Sequence, residues 1–75
     1  MSRQYEIGSN GLGYYIYSYE SENLGPAMYI SRHLIWENGF PKYFKSKREA
    51  IMILKRVVNT PLIRFEKNRY KIKGD

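Results

Sequence analysis

The chain has no cysteine and a single histidine, His33, so it carries neither a disulfide nor the ligand set of a structural zinc site. Those are the usual supports of a domain this small, which buries only roughly 60% of the surface its unfolded form exposes. Long hydrophobic runs are missing too: none approaches the ~20 apolar residues of a membrane span. With no apolar signal segment and no cysteine, the expectation is a cytoplasmic protein of a bacterium or of a phage-infected host cell. The wealth of Tyr, Ile, Lys and Asn points the same way, to an AT-rich genome. Repeats, low-complexity stretches and Pro/Gly/Ser-rich linkers are also lacking, which predicts one domain over residues 1–75.

The chemistry of catalysis is thinly represented. Gly8-Ser9-Asn10-Gly11-Leu12-Gly13 lacks the Gly-Lys-Ser/Thr ending of a phosphate loop and no helix pattern follows it, so it reads as a hairpin turn in preference to a phosphate cradle. The serines sit in no nucleophile elbow, and no metal-ligand spacing is present. His33 reads as structural or exposed on its strand, with a functional role as the alternative. Glu20 and Glu22 read as residues solvating a loop before they read as paired carboxylates. The expectation is a non-enzyme with no cofactor, no metal, no membrane contact and no small-molecule substrate.

What is present is charge, and it is unevenly spread. The net +6 divides into −2 over residues 1–40 and +8 over residues 41–75. Such a field suits a nucleic acid or an acidic protein surface as partner; it says nothing about fold. Aromatic residues make up 16% of the chain, eight of them tyrosines. Together with 43% hydrophobic content, this is too apolar for a disordered chain and predicts a core.

The pattern predicts an α+β fold, a small antiparallel sheet packed against one main amphipathic helix. Tyr5 to Ile7 alternates, Gly8 to Gly13 supplies turn residues, and Tyr14 to Tyr19 favours a strand. Glu20 to Pro26 reads as a loop and Met28 to Trp36 as a strand. Asn38-Gly39 accepts the positive φ angles of a type I′ turn, so Phe40 to Phe44 should pair back, with Pro41 at an edge or outside the ladder. Ser46 and Glu49 form a capping box that starts a helix at Lys47. Ala50, Ile51, Ile53, Leu54, Val57 and Val58 fall on one arc, and Arg48, Met52, Lys55, Arg56 and Asn59 fall opposite. The apolar arc should pack through Leu54 and Val57. Asn59-Thr60-Pro61 ends the helix near Val58, because the residue before proline avoids the α region. Leu62 to Phe65 and Arg69 to Lys73 predict a last hairpin around Lys67-Asn68, with Ile63 and Phe65 facing Tyr70 and Ile72.

Tyr15, Tyr17 and Tyr19 share one strand face, and Tyr14, Ile16 and Ser18 share the other. If the face of Ile16 packs, the three tyrosines form an open surface on which bases can stack. If their own face packs they are core, and a dimer contact is the third option. The basic helix face likewise reads either as a solubility device or as a phosphate-contacting surface.

The segment Tyr43-Phe44-Lys45-Ser46-Lys47-Arg48-Glu49-Ala50 runs from an expected strand into the helix. It resembles the aromatic-x-Ser/Thr-Lys-x-Glu-Ala passage from third strand to helix in the three-stranded-sheet-plus-helix DNA-binding domains of tyrosine recombinases (the integrase arm-binding type) and AP2-type factors. The resemblance covers those eight residues and the inferred element order. It implies a sheet that enters the major groove, base contact from the sheet face and phosphate contact from nearby lysines, with DNA preferred over RNA. The strands expected after Pro61 depart from that pattern and would cover or extend the surface concerned.

Two functional expectations follow. The first is a small basic nucleic-acid-binding module, with Lys42, Lys45, Arg48, Lys55, Arg56, Arg64, Lys71 and Lys73 on phosphates and Tyr15, Tyr17 or Tyr19 on bases or sugars. The second is a small phage-encoded regulator or inhibitor that docks on a host enzyme or nucleoprotein complex through aromatic and arginine hot spots.

Overall fold

A computed structural model describes residues 3–22 and 28–74. Among these residues seven strands and one helix follow in the order β1 (Arg3–Asn10), β2 (Gly13–Glu22), β3 (Met28–His33), β4 (Trp36–Glu37), β5 (Phe40–Pro41), α1 (Lys47–Val58), β6 (Leu62–Glu66) and β7 (Arg69–Ile72). Five of the strands build one antiparallel sheet in the spatial order β3-β2-β1-β7-β6, while β4 and β5 form a separate two-stranded ribbon. The strands after Pro61 thus extend the main sheet along the free edge of β1.

Register decides which residues share a face. Ile7 pairs with Ile16, and Tyr5 pairs with both Ser18 and Tyr70, so these side chains project together. Helix α1 covers that face. Tyr5, Ile7, Ile16, Phe44, Ala50, Leu54 and Tyr70 are buried as one cluster, and Tyr14, Leu34, Ile35, Ile51, Ile53, Val58, Leu62 and Ile72 pack around it. Ala50 and Leu54 are fully buried and lie one turn apart, which makes them the line of helix-to-sheet contact. Burying a leucine of this kind stabilises the fold by about 1.5–3 kcal/mol.

The helix begins where the capping pattern requires: the Glu49 amide donates to Ser46 Oγ at 3.1 Å. It ends on Asn59, which takes a left-handed conformation (φ 51°) and donates its amide to the Lys55 carbonyl. Phe44, just before the helix, exchanges two backbone hydrogen bonds with Tyr14. Gly13 makes this approach possible, because a Cβ there would stand 2.7 Å from the Phe44 carbonyl oxygen and its φ is +129°. Asn38 (φ 53°) and Gly39 (φ 82°) form the tight turn between β4 and β5, as the sequence predicts.

Several expected boundaries move. The strand expected over Tyr5–Ile7 runs from Arg3 through Gly8 to Asn10, and only Gly11 and Leu12 turn, because every backbone position from Arg3 to Asn10 finds a partner on β2. Glu20 to Glu22 belongs to β2, not to a loop, and the expected loop residues 23–27 lie outside the described residues. The strand expected over Met28–Trp36 stops at His33 and resumes in the ribbon, whose return strand is only Phe40–Pro41. Pro41 pairs with Trp36 there, which a two-stranded ribbon tolerates because its outer side needs no donor.

Two packing expectations change. Val57 is 52% exposed although it lies on the apolar arc, while Val58 packs against the core; the line of contact runs Ala50–Leu54–Val58 and leaves Val57 to one side. Ile63 and Phe65 do not face Tyr70 and Ile72. Leu62 pairs with Ile72 and Arg64 with Tyr70, so the one-residue difference in register sends Ile63 and Phe65 to the opposite face. A bulge between Arg64 and Glu66 completes the hairpin.

Because Leu54 is fully buried and Val57 is not, the two truncations should separate. Leu54→Ala is expected to cost about 2–5 kcal/mol, and Val57→Ala a small fraction of that. Equal losses in chemical denaturation would contradict this placement of the helix.

Candidate nucleic-acid interface

Among the described residues no helix packs on the face of the sheet away from α1. Parity assigns Gln4, Glu6 and Gly8 of β1, Tyr15, Tyr17 and Tyr19 of β2, Ser31 and His33 of β3, and Arg69 and Lys71 of β7 to it, since each is a register partner of another. The alternative that the tyrosines are the core under the helix is thereby excluded: Ile16 takes that role. All three tyrosines are half-buried, held by one another and open on their outer side.

The rings form a continuous array. Tyr15 and Tyr17 stand 4.6 Å apart between centroids, and Tyr17 and Tyr19 6.2 Å apart. His33 meets Tyr15 at 5.4 Å, Tyr17 at 4.7 Å and Tyr43 at 5.9 Å, all edge-on. Trp36 extends the array past His33, fixed by its indole N–H donating to the His33 carbonyl at 2.9 Å. Contacts at steep angles suit the ring quadrupoles and leave ring faces unstacked within the protein. Gly8 gives Tyr15 its place: a Cβ at Gly8 would fall 2.4 Å from Tyr15 Cζ, so the ring lies over bare backbone.

Charge is organised around Glu6. The Tyr19 hydroxyl donates to Glu6 Oε1 at 3.0 Å, and Arg69 Nε lies 3.6 Å from Glu6 Oε2. The Arg69 guanidinium also stands 5.2 Å from the Tyr19 ring centroid and 3.8 Å from Glu66. Lys71 lies 5.9 Å from the Phe65 ring. Partial burial, helped by Tyr17, Glu6 and Tyr43, pushes the Tyr15 phenol above its ordinary value. At Tyr19 partial burial comes first, and the hydrogen bond and charge of Glu6 add to it against the opposing effect of Arg69.

The sequence-predicted site residues do not form one surface. Tyr15, Tyr17, Tyr19 and Lys71 share the open face. Arg48, Lys55 and Arg56 are exposed on the helix, on the other side of the sheet, and Lys45 is exposed at its start. Arg64 shares the helix-side face with its partner Tyr70, and Lys73 is exposed just past β7. Lys42 is ion-paired to Glu37 on the ribbon. A ligand on the tyrosines therefore cannot lie on the helix cations at the same time without passing around an edge of the sheet. Glu6, Tyr43, Trp36 and Arg69 belong to the open face and escaped the sequence reading, as did the central place of His33. Period-two parity marks Glu6 and Arg69, but only once the register between strands is known; Trp36 and Tyr43 lie outside the main sheet and join the array through ring contacts with His33 and Tyr15.

Among the described residues no three of His, Asp and Glu converge into a metal-binding group, and no helix is long and apolar enough to cross a membrane.

Tyr15 and Tyr19 share a pH signature. Their raised values favour the neutral phenol in the folded state. That stability is fully present below the ordinary tyrosine value of 10.0 and is lost as pH rises through the raised ones. Ultraviolet titration should show tyrosinate forming at these two positions above that value; a titration in which all eight tyrosines ionise together at the ordinary value would contradict the packing. No family model, no curated protein and no solved structure matches this chain.

Proposed function

We propose that this chain is a small, non-catalytic nucleic-acid-binding module whose contact surface is the open face of the sheet. The observation that carries the reading is the unbroken run of half-exposed rings from Tyr19 through Tyr17 and Tyr15 to His33 and Trp36, with Arg69 and Lys71 alongside. Bases stack on such rings for ~1–3 kcal/mol each, and the neighbouring cations neutralise phosphates. The net charge of +6 adds long-range attraction for a polyanion, and the exposed Arg48, Lys55 and Arg56 contribute to it from the far side.

A second reading, a protein-binding regulator or inhibitor of a host enzyme or nucleoprotein complex, is favoured by one feature. Trp36 and Phe40, on the β4–β5 ribbon, are 57% and 73% exposed, and exposed aromatics of this kind are typical anchors of protein interfaces.

The test is substitution on each surface. Tyr17→Ala should weaken nucleic-acid binding by roughly tenfold, the equivalent of about 1.4 kcal/mol, with the circular dichroism of the fold intact. Phe40→Ala should leave that binding unchanged. A protein that binds no nucleic acid beyond the micromolar nonspecific level at ~50 mM salt, yet captures a protein from nuclease-treated lysate in a Phe40-dependent way, would replace the first reading with the second.

A further inference from the structure

Resting on the nucleic-acid reading, we propose that the open face takes a single strand and not a duplex. The argument is the layout of charge and rings across the strands. A duplex offers its bases only as edges inside a groove, between two phosphate rims, so a sheet that docks there needs cations on both flanks and polar side chains between them. This face has a one-sided layout. Tyrosine rings dominate it on β2, beside the polar Gln4 and Glu6 of the central strand β1, and their steep packing angles leave ring faces available to unpaired bases.

Its cations lie in one row, Arg69 and Lys71 on β7. The backbone of that row is two strand spacings from that of the tyrosines, about 9–10 Å, and Arg69 reaches back to 5.2 Å from the Tyr19 ring. On the other flank the described side chains that β3 gives this face, Ser31 and His33, include no lysine or arginine, because Arg32 pairs with Ser18 and so points to the helix side. Between the two rows sits the carboxylate of Glu6, which repels a phosphate but accepts from the N–H groups of an unpaired base. The row of rings on β2, the row of cations on β7 and the acceptor between them match a chain with one line of phosphates and its bases turned to one side, with Ile63 and Phe65 of β6 lying beyond the cations.

The test is fluorescence anisotropy with a labelled oligothymidylate and with a labelled mixed-sequence duplex of equal length, on the full chain. The single strand should bind at least about tenfold tighter. Its affinity should fall with salt at a log–log slope of about −1.4, the value for two phosphate contacts at about −0.7 each. Tyr17→Ala and, separately, Lys71→Gln should each weaken it by more than about threefold, and Lys71→Gln should flatten the slope by about half. The double change Lys55→Glu with Arg56→Glu, on the far side of the sheet, removes only long-range attraction and should weaken it less than either of those changes. Equal or tighter duplex binding would overturn the strand preference while the nucleic-acid reading stands. Loss of binding on helix charge reversal, with Tyr17→Ala and Lys71→Gln silent, would overturn the site. Binding of neither probe would overturn both the preference and the reading beneath it.

Discussion

The contact of Ala50 and Leu54 with the Ile7–Ile16 pair is the constraint on which the rest of the molecule depends. Strand β2 carries aromatic residues on both faces, and nothing in its own sequence says which must be buried. The helix resolves the choice by covering Tyr14, Ile16 and Ser18, and the pleat then sends Tyr15, Tyr17 and Tyr19 outward. A slip of one residue between β1 and β2 would reverse the arrangement and expose the core, so the register that holds the fold together is also the register that creates the open face. Without disulfides, this small core supplies most of the specificity of the structure.

The sheet also separates two electrostatic environments that the net charge blurs together. On the helix side, Arg48, Lys55 and Arg56 stand free in solvent and contribute to the field at a distance. On the open side the charges are engaged: Arg69 with Glu6, Glu66 and Tyr19, Lys71 with Phe65, and Glu6 with Tyr19. Engaged charges have little conformational freedom left to lose, so the open face is the more ordered of the two, while the helix side contributes mainly a field at long range.

Much of this was legible in the sequence, and the limits have physical causes. The helix was readable to the residue because capping and periodicity are local: Ser46, Glu49 and Asn59 act within one turn of themselves. The Asn38-Gly39 turn was readable for the same reason. Strand extents and facing were not. The glycines at Gly8 and Gly13 suggested turns, but each serves a close approach from elsewhere, Tyr15 over Gly8 and the Phe44 carbonyl against Gly13. Arg69 and Glu6 are far apart in the chain and became neighbours only through the β1–β7 pairing, which is a long-range event. The break after His33, which turns Trp36 and Tyr43 toward the array, has no local signal that could have revealed it.

The central claim is that the uncovered sheet face, and not the basic helix, is the contact surface. The most direct measurement is a two-dimensional NMR titration of the labelled protein with oligothymidylate. Shifts should concentrate on the amides and rings of Tyr15, Tyr17 and Tyr19 and on Arg69 and Lys71, with Arg48, Lys55 and Arg56 unmoved. Shifts confined to those three helix residues, or none at saturating oligonucleotide, would contradict it.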